Sequence, residues 1–490
     1  MEPRASATPA LLGLTALALA LRLTAIGSES LWYDEAISLK LAAAPYRDLL
    51  SGAARDNGNP WGYWLILRAW QALVGPGIET ARALSALLGS LVVPATYRLA
   101  RADGVRRTES LLAALLVAAS PPLVFLGREA RVYALFAVAA ALTALAAGGV
   151  RRGRTSAHVE LVLGGISLLY LHYYAFFVLA ALALAIVWGR RLSTSEAARL
   201  AATYACIGLA FVPLLPLLRA QLAEGATRSE SSWGPHAVLF PFHSLVGHTL
   251  AWKLDPRWLL AAAYAMVVLG VVLPAAWGLL RQRRAPVLST VTPLATFFLV
   301  LLVSLRSPLL HSRYMAVVVP CMMISLVAGL SSLANERPRL ARSVALLAAT
   351  LIVASLARLY AEPHKPDWRG VAEAVGRIAP GLPVFFLDDT GALPYAYYRP
   401  SDASFAVAAS ADGTRWADDS ALASMSAQPR GFWLALYLPY ASAAVMDELT
   451  RELSHRYRVD RLEDRLGVRL MLMNVPPGHP ASAESGSEAK

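Results

Sequence analysis

The chain has 490 residues, of which 57% are hydrophobic and only 16% are charged, and its formal net charge is +12. This proportion of apolar side chains exceeds what the core of one water-soluble protein uses, so the composition excludes an ordinary soluble domain. Apolar runs of roughly 17 to 25 residues, each able to cross the hydrocarbon layer as a helix, predict a polytopic α-helical membrane protein. The strands of a β-barrel would be shorter and would alternate in polarity.

The positive charge does not indicate a nucleic-acid partner. The arginines fall in short clusters between apolar runs rather than along one amphipathic face, which is typical of charges that orient a membrane protein. The two cysteines, Cys206 and Cys321, both lie inside apolar runs. They provide neither a disulfide framework nor a cysteine-based metal site, and we interpret both as small core residues.

Eleven apolar runs predict transmembrane helices. They lie near residues 8–26, 79–100, 109–127, 130–149, 157–172, 174–188, 198–219, 258–280, 287–305, 311–333 and 340–360. The first run follows Arg4 and is rich in alanine, so a cleaved signal peptide is an alternative interpretation of it. Under either interpretation, the segment after this run lies on the outer side of the membrane.

Basic clusters occupy every second connection between the runs, starting after the second. They lie at 101–107, 151–154, 190–191, 281–284 and 337–342. Because positively charged loops stay in the cytoplasm, this alternation predicts a cytoplasmic amino terminus. We therefore expect a multi-pass protein of the cell inner (plasma) membrane, with a periplasmic or extracellular C-terminal domain.

Residues 1–360 form the predicted membrane domain, and its first outer loop, residues 27–78, is predicted to hold juxtamembrane helices. The segment from Glu35 to Leu50 has an apolar stripe, which is expected of an amphipathic helix in the membrane interface. This predicted helix ends before Trp61, at the segment Asn57-Gly58-Asn59-Pro60. The next helix, from Trp61 to Val74, is too short to span comfortably and is rich in tryptophan.

Residues 361–475 are predicted to form a small extracytoplasmic α/β domain, because proline, aspartate and alternating apolar residues replace the apolar runs. A helix capped by Asp367 is predicted to reach Ile378, and a second is predicted from Ala441 to Tyr457. The predicted strands are Val384 to Leu387, Gly431 to Leu438 and Val468 to Met473. The polar composition of residues 476–490 predicts a disordered tail.

Two adjacent carboxylates, Asp34 and Glu35, follow the point where the first run leaves the membrane. Carboxylates near the hydrocarbon boundary are costly to keep ionised, which makes this pair a candidate functional site. Acidic residues also suit the first turn of a helix, whose dipole favours negative charge there. The pair alone leaves both interpretations open.

The outer turn between the third and fourth runs reads Arg128-Glu129-Ala130-Arg131-Val132-Tyr133. Positive residues are disfavoured on the outer side, so two arginines in one tight turn indicate an anionic partner. Arg128 and Arg131 are suited to bind a phosphate through charge-assisted hydrogen bonds, with Glu129 orienting one of them. Pairing with Glu129 itself, or with lipid headgroups, is the alternative.

Further outer clusters contain histidine. In His311-Ser312-Arg313-Tyr314, a histidine beside an arginine is suited to share the charge or the proton of a leaving phosphate. His172, followed by Tyr173 and Tyr174, equally fits an aromatic belt at the membrane interface. The long outer loop after the seventh run contains three histidines without the regular spacing of a metal site, namely His236, His243 and His248.

The order of these features resembles the GT-C glycosyltransferases. Within them it resembles glycosyltransferase family 39, the relatives of protein O-mannosyltransferases and of the lipid A aminoarabinose transferase. The resemblance covers roughly residues 8–360 and rests on Asp34-Glu35, Asn57-Gly58-Asn59-Pro60, the 128–133 motif and Ser312-Arg313-Tyr314. Many relatives have Pro-Pro where this chain has Pro60-Trp61. Lys365-Pro366-Asp367-Trp368-Arg369 is also similar to bacterial members of this broad group.

The resemblance implies inverting transfer of a hexosyl or pentosyl group from a polyprenyl-phosphate donor to a lipid, glycan or protein acceptor at the outer face. It implies that the base is the Asp of the first outer loop, most simply Asp34, with Glu35 as its neighbour or substitute. The predicted contacts with the lipid phosphate or sugar are Arg128, Glu129, Arg131, Tyr133, His172, His311, Arg313 and Tyr314. No cofactor is predicted. A divalent metal held by Asp34 and Glu35 is an alternative, although few other outer carboxylates are present to complete its coordination.

Two other classes of protein compete with this interpretation. A transporter or flippase of a lipid-linked glycan needs polar residues at several depths of the bundle, whereas polarity here concentrates at one face. A membrane anchor that presents its C-terminal domain as a binding module leaves the outer arginines without a role. The sequence therefore favours a membrane glycosyltransferase over both alternatives.

Overall fold

The computed structural model describes most of the chain in two compact units. The described residues are 7–51, 56, 58–223, 245–246, 262, 264–281, 285–306, 309–386, 389–400, 404–406, 425, 428, 430–438, 451, 453 and 457–474. The first unit comprises Met1–Ile26 and Ser38–Glu362, and the second comprises Gly27–Ile37 and Pro363–Lys490. The three loop histidines, the predicted tail and most of the predicted helix from Ala441 to Tyr457 lie outside the described residues.

Apart from the beginning of α2, the first unit contains all the described helices up to residue 361. They are α1 (Thr8–Leu23), α2 (Tyr33–Ala43), α3 (Tyr46–Ser51), α4 (Gly62–Val74), α5 (Ile78–Ser90), α6 (Val92–Ala102), α7 (Arg107–Ala118), α8 (Pro121–Gly127), α9 (Tyr133–Arg151), α10 (Ser156–Leu171), α11 (Ala175–Val187), α12 (Thr194–Phe211), α13 (Leu215–Ala223), α14 (Tyr264–Leu280), α15 (Val287–Ser304), α16 (Ser312–Met315), α17 (Val319–Glu336) and α18 (Pro338–Ala361). The pattern of apolar runs and short polar connections accounts for this helical content.

Within the described ranges, six helical stretches are long and apolar enough to cross a membrane, and a seventh forms if α7 and α8, which meet at a 50° bend, are one span. Four shorter apolar helices accompany them among the described residues, namely α1, α10, α11 and α14. Each of the eleven apolar runs coincides with one of these elements. The predicted polytopic α-helical membrane architecture is therefore confirmed.

The first outer loop differs in part from its prediction. The prediction of a single amphipathic helix from Glu35 to Leu50 is wrong, because the segment forms two helices, α2 and α3, separated at Ala44-Pro45. Pro45 lacks the amide proton that a continuous helix would need at this position. Buried residues on α2 include Glu35 and Ser38, so the helix is not a simple interfacial one. The predicted helix after Pro60 is confirmed as α4.

Two local features show how the helices of the first unit are held together. The carboxylate of Asp103, in a basic connection, accepts hydrogen bonds from the amides of Leu288 and Ser289 at 3.2 and 2.8 Å, which satisfies the first turn of α15. Helices α14 and α17 approach so closely at Gly278 and Gly329 that neither position has room for a Cβ atom. Small residues permit such backbone contact between membrane helices.

In its described residues, the second unit contains a five-stranded sheet and two further helices. The elements are α19 (Trp368–Ile378), β1 (Val384–Phe386), α20 (Asp389–Tyr398), β2 (Ser404–Ala406), β3 (Phe432–Tyr437), β4 (Arg458–Arg465) and β5 (Val468–Asn474). The strand order is β2-β1-β3-β5-β4. Strand β1 is parallel to β2 and β3, whereas β5 is antiparallel to β3 and β4. The predicted small α/β fold is confirmed.

The core of the second unit lies between α19 and the sheet. Trp368, Val371 and Val375 on α19 pack in one buried cluster with Phe386 and Trp433 from the strands. The side chain of Asp367 accepts a hydrogen bond from the amide of Gly370 at 2.9 Å, as predicted for the residue that caps this helix.

Candidate functional site

The two candidate carboxylates lie on the first turn of α2, where the carbonyl of Trp32 accepts hydrogen bonds from the amides of Glu35 and Ala36. Glu35 is fully buried, and its Oε2 lies 3.1 Å from Nζ of Lys365, whose side chain is 6% exposed. Asp34 is half-buried. Asp34 is therefore the more accessible of the two carboxylates, and Lys365 compensates the charge of Glu35.

The donor set at this pair does not fit a divalent cation. An ion bound between Asp34 and Glu35 would have to displace the ammonium group of Lys365. Among the residues that the structure describes, no group of three or more His, Cys, Asp or Glu side chains is placed to hold a metal ion. Hard cations need several oxygen ligands, and the described residues do not assemble such a set at this pair.

Arg131 has an acidic partner that the sequence analysis missed. Its NH2 group lies 3.1 Å from Oδ2 of Asp56, and its NH1 group donates to the hydroxyl of Ser38 at 3.4 Å. Arg131 and Asp56 are both buried. The expected role of Arg131 as a phosphate ligand therefore competes with a structural ion pair in the first unit.

Arg128 contacts different groups, although it lies only one turn from Arg131. Its NH2 group donates to the carbonyl of Ala25 at 3.1 Å, and its guanidinium carbon lies 4.7 Å from the ring centre of Tyr360. Arg128 is half-buried, and Glu129 between the two arginines is buried. The structure therefore separates two arginines that the sequence motif suggested would act on one phosphate.

Asp56 belongs to a buried polar network in the segment that precedes α4. Asn59 donates to the Asp56 carboxylate at 2.9 Å. The amide of Gln221 donates to the carbonyls of Asp56 and Asn59 at 2.6 and 3.1 Å, and Tyr173 donates to the Gln221 side chain at 2.7 Å. Gln221 was the sequence signal available for this network, because a lone amide at the end of an apolar run needs a polar partner.

His172 lies in a buried aromatic cluster rather than in an exposed belt. Its ring centre is 4.8 Å from Tyr314, 5.2 Å from Phe136 and 5.9 Å from Tyr133. Its Nδ1 accepts a hydrogen bond from the amide of Tyr174 at 3.0 Å, which places the proton of the neutral ring on Nε2.

The His311 motif is ordered by its own backbone. Nδ1 of His311 accepts a hydrogen bond from the amide of Arg313 at 3.3 Å, and the His311 ring lies 5.1 Å from that of Tyr314. His311 and Arg313 are both half-buried. The guanidinium of Arg131 lies 5.8 Å from the Tyr133 ring, so ring contacts link Arg131 to His311.

Eight of the ten predicted site residues fall into three sets, and the other two, Glu129 and Arg313, belong to the first unit. The first unit brings five of them together, namely Arg131, Tyr133, His172, His311 and Tyr314. Arg128 belongs to the same unit but contacts Ala25 and Tyr360. Asp34 and Glu35 belong to the second unit.

Comparisons with known proteins agree with this architecture. A family model described as dolichyl-phosphate-mannose-protein mannosyltransferase matches residues 47–218. No curated protein matches the sequence significantly. The structure is similar to that of ArnT from Cupriavidus metallidurans in the apo state, with a TM-score of 0.58 and 13% identity over 96% of this chain and 98% of that one.

Two further solved structures share the fold. ArnT from Cupriavidus metallidurans bound to undecaprenyl phosphate matches with a TM-score of 0.55 and 13% identity over 95% of this chain and 98% of that one. The Archaeoglobus fulgidus oligosaccharyltransferase, in complex with zinc and sulfate, matches with a TM-score of 0.54 and 13% identity over 96% of this chain and 74% of that one. The chain therefore has the GT-C membrane fold, and the resemblance to glycosyltransferase family 39 that its motifs indicated is confirmed.

Proposed function

We propose that this protein is a membrane glycosyltransferase that moves a sugar from a polyprenyl-phosphate donor to an acceptor at the outer face of the membrane. The observation that carries the proposal is the fold shared, over 95% of this chain, with an ArnT whose structure contains undecaprenyl phosphate. The match to the mannosyltransferase family model over residues 47–218 supports it independently. The sugar is a hexose or pentose, and the acceptor is a lipid, glycan or protein.

Asp34 is the base in this proposal. As the acceptor oxygen attacks the anomeric carbon, Asp34 takes its proton, and the bond between that carbon and the lipid phosphate breaks. One displacement inverts the configuration of the sugar, so a second carboxylate is not needed as a nucleophile. The engagement of Glu35 with Lys365 and the partial exposure of Asp34 favour this assignment.

Arg128 and Arg313 are the proposed cationic partners of the leaving phosphate, since both are half-buried. A positive group preorganised for charge that develops in the transition state contributes on the order of 3 kcal/mol. Arg131 acts differently, because its charge is compensated by Asp56. We assign it to holding the 128–133 turn, and we assign Tyr314 and His311 to contacts with the sugar.

Substitution of Asp34 tests the proposal. Purified protein in liposomes is supplied with a panel of polyprenyl-phosphate sugars and candidate acceptors, and mass spectrometry follows the transfer. We expect Asp34→Asn to lower kcat about 100-fold or more, because a positioned base contributes about that much. Asp48→Asn is the matched control, since this carboxylate of the same loop, with 36% of its side chain exposed, pairs only weakly with its neighbour Arg47.

Three other outcomes would contradict the proposal or part of it. Full activity in Asp34→Asn would mean that another residue is the base. Absence of transfer by the wild-type protein with every donor would contradict the glycosyltransferase function. Movement of a labelled donor across the bilayer without transfer would favour the flippase.

A further inference from the structure

The motif Lys365-Pro366-Asp367-Trp368-Arg369 has no part in the chemistry described above. We propose that this motif, with Gly370, is a clasp that fixes residues 27–35 and so positions Asp34. The inference rests on the proposed function only in calling Asp34 the base. All contacts that carry it lie within the second unit, to which both the motif and residues 27–35 belong.

The first contacts of the clasp hold Ser30. The Ser30 hydroxyl donates to Oδ1 of Asp367 at 3.2 Å and accepts from the amide of Arg369 at 3.1 Å. The Asp367 oxygen that accepts this hydrogen bond from Ser30 also accepts one from the amide of Gly370, and so caps α19. Because one carboxylate serves both contacts, the start of α19 and the approach to Asp34 are ordered together.

The residues on either side of Ser30 are also held. The amide of His364 donates to a carboxylate oxygen of Glu29 at 2.8 Å, and the amide of Leu31 donates to the hydroxyl of Tyr398 at 2.7 Å. The guanidinium of Arg369 donates to the carbonyl of Gly27 at 3.1 Å. Four of the five residues from 27 to 31 therefore bond to residues beyond 363, which leaves this stretch little conformational freedom.

The last contact is the buried ion pair between Lys365 and Glu35. Breaking a buried ion pair leaves a charge less well compensated, so this pair strongly favours one position of the first turn of α2. Asp34 is the adjacent residue on that turn, and its backbone position follows that of Glu35.

The clasp is anchored to the sheet. The NH1 group of Arg465, at the end of β4, lies 3.3 Å from Oδ2 of Asp367. A side chain at Gly370 would overlap both Asp367 and Arg465, so only glycine permits this arrangement. Contacts therefore run without a break from the sheet through Arg465 and Asp367 to Ser30. In this view the second unit orders the segment that carries Asp34.

The test uses the full-length protein and two independent measurements. In Lys365→Met, we expect hydrogen exchange of the amides at 28–36 to become at least 10-fold faster, and kcat to fall at least 10-fold with a smaller change in KM. Lys365→Arg retains a cation, so it should keep part of the exchange protection at 28–36 and part of kcat. If the ion pair acts as one unit, adding Glu35→Gln to Lys365→Met should cause little further loss. Arg469→Gln is the control, because it breaks an exposed pair with Asp464 in the same sheet.

The measurements separate failure of the clasp from failure of the proposed function. Hydrogen exchange needs no substrate, so wild-type-like exchange in Lys365→Met would overturn the clasp whatever the activity. Exchange that rises while the wild-type protein transfers no sugar would support the clasp and contradict the function. If Lys365→Met fails to fold, Ser30→Ala removes only one hydroxyl. Unchanged exchange at 28–36 in Ser30→Ala would then overturn the clasp.

Discussion

Arg131 shows how burial changes the role of a charged side chain. It lies 75 positions from Asp56 in the chain, yet the two form an ion pair with side-chain exposures of only 5% and 11%. The sequence motif suggested that both arginines of the 128–133 turn would bind a phosphate. A guanidinium already desolvated against a carboxylate would have to lose that partner first, and breaking a buried pair is costly.

We therefore predict that Arg131→Gln destabilises the protein by about 3 kcal/mol, because it leaves Asp56 buried without its cation. Adding Asp56→Asn should recover part of the loss. Arg154→Gln is the matched control, since the Arg154–Glu160 pair is about half exposed on both sides and contributes little. Thermal unfolding in one fixed detergent compares the stability of the wild type, Arg131→Gln, the double variant and Arg154→Gln. Unchanged stability with a large loss of donor affinity in Arg131→Gln would return Arg131 to the role of a phosphate ligand.

Among the elements, α14 and α17 show how small residues determine helix packing. Gly278 and Gly329 let the two backbones approach until a Cβ on either would overlap a carbonyl of the other helix. Gly208 on α12 is a different case, with no atom within 4 Å of the position that a Cβ would occupy. Glycine is therefore required for packing at the first two positions and not at the third.

This contrast predicts opposite effects of one substitution. Gly329→Ala should destabilise the protein by about 1–3 kcal/mol, since the added methyl group forces the backbones apart. Gly208→Ala should be neutral or slightly stabilising, because alanine favours a helix by up to about 1 kcal/mol over glycine. Thermal unfolding in lipid nanodiscs compares the two variants. Equal stability of both would contradict the close approach of α14 and α17.

Across the whole protein, the basic connections and the connections that carry the candidate site are predicted to lie on opposite sides of the membrane. The arginine clusters alternate with connections that carry the unusual polar residues. Positive loops remain cytoplasmic, so the first outer loop and the connection before Tyr314 should share the opposite side of the membrane. The proposed reaction depends on this arrangement, since its acidic and basic residues come from those connections.

Cysteine labelling in intact cells tests the arrangement. In a background with Cys206 and Cys321 replaced by serine, Tyr46→Cys and Arg306→Cys should react with a membrane-impermeant maleimide from outside. Arg106→Cys should react only after the cells are permeabilised, because it lies in a basic connection. All three positions are exposed side chains, so access to the reagent is not limited by burial. Labelling of positions 46 and 306 from opposite sides would contradict the predicted topology.

Several features were predictable from the sequence because their causes are local. An apolar run must form a helix to cross lipid, so the eleven runs coincide with the described helices. Asp367 was predicted to cap α19 because it immediately precedes the helix. Strand β4 was missed because it is the exposed edge strand and reads Arg-Val-Asp-Arg-Leu-Glu-Asp-Arg, and charges at sheet edges hide the usual alternation.

The membrane architecture, the small α/β unit and the candidate residues could be predicted from the amino-acid pattern, because hydropathy and capping act over a few neighbouring positions. Which charges are paired became apparent only in the folded protein. Asp56 compensates Arg131, and Lys365 compensates Glu35, across long stretches of chain. Local patterns contain no record of such partners, since the ion pairs exist only once folding brings distant segments together and removes their water.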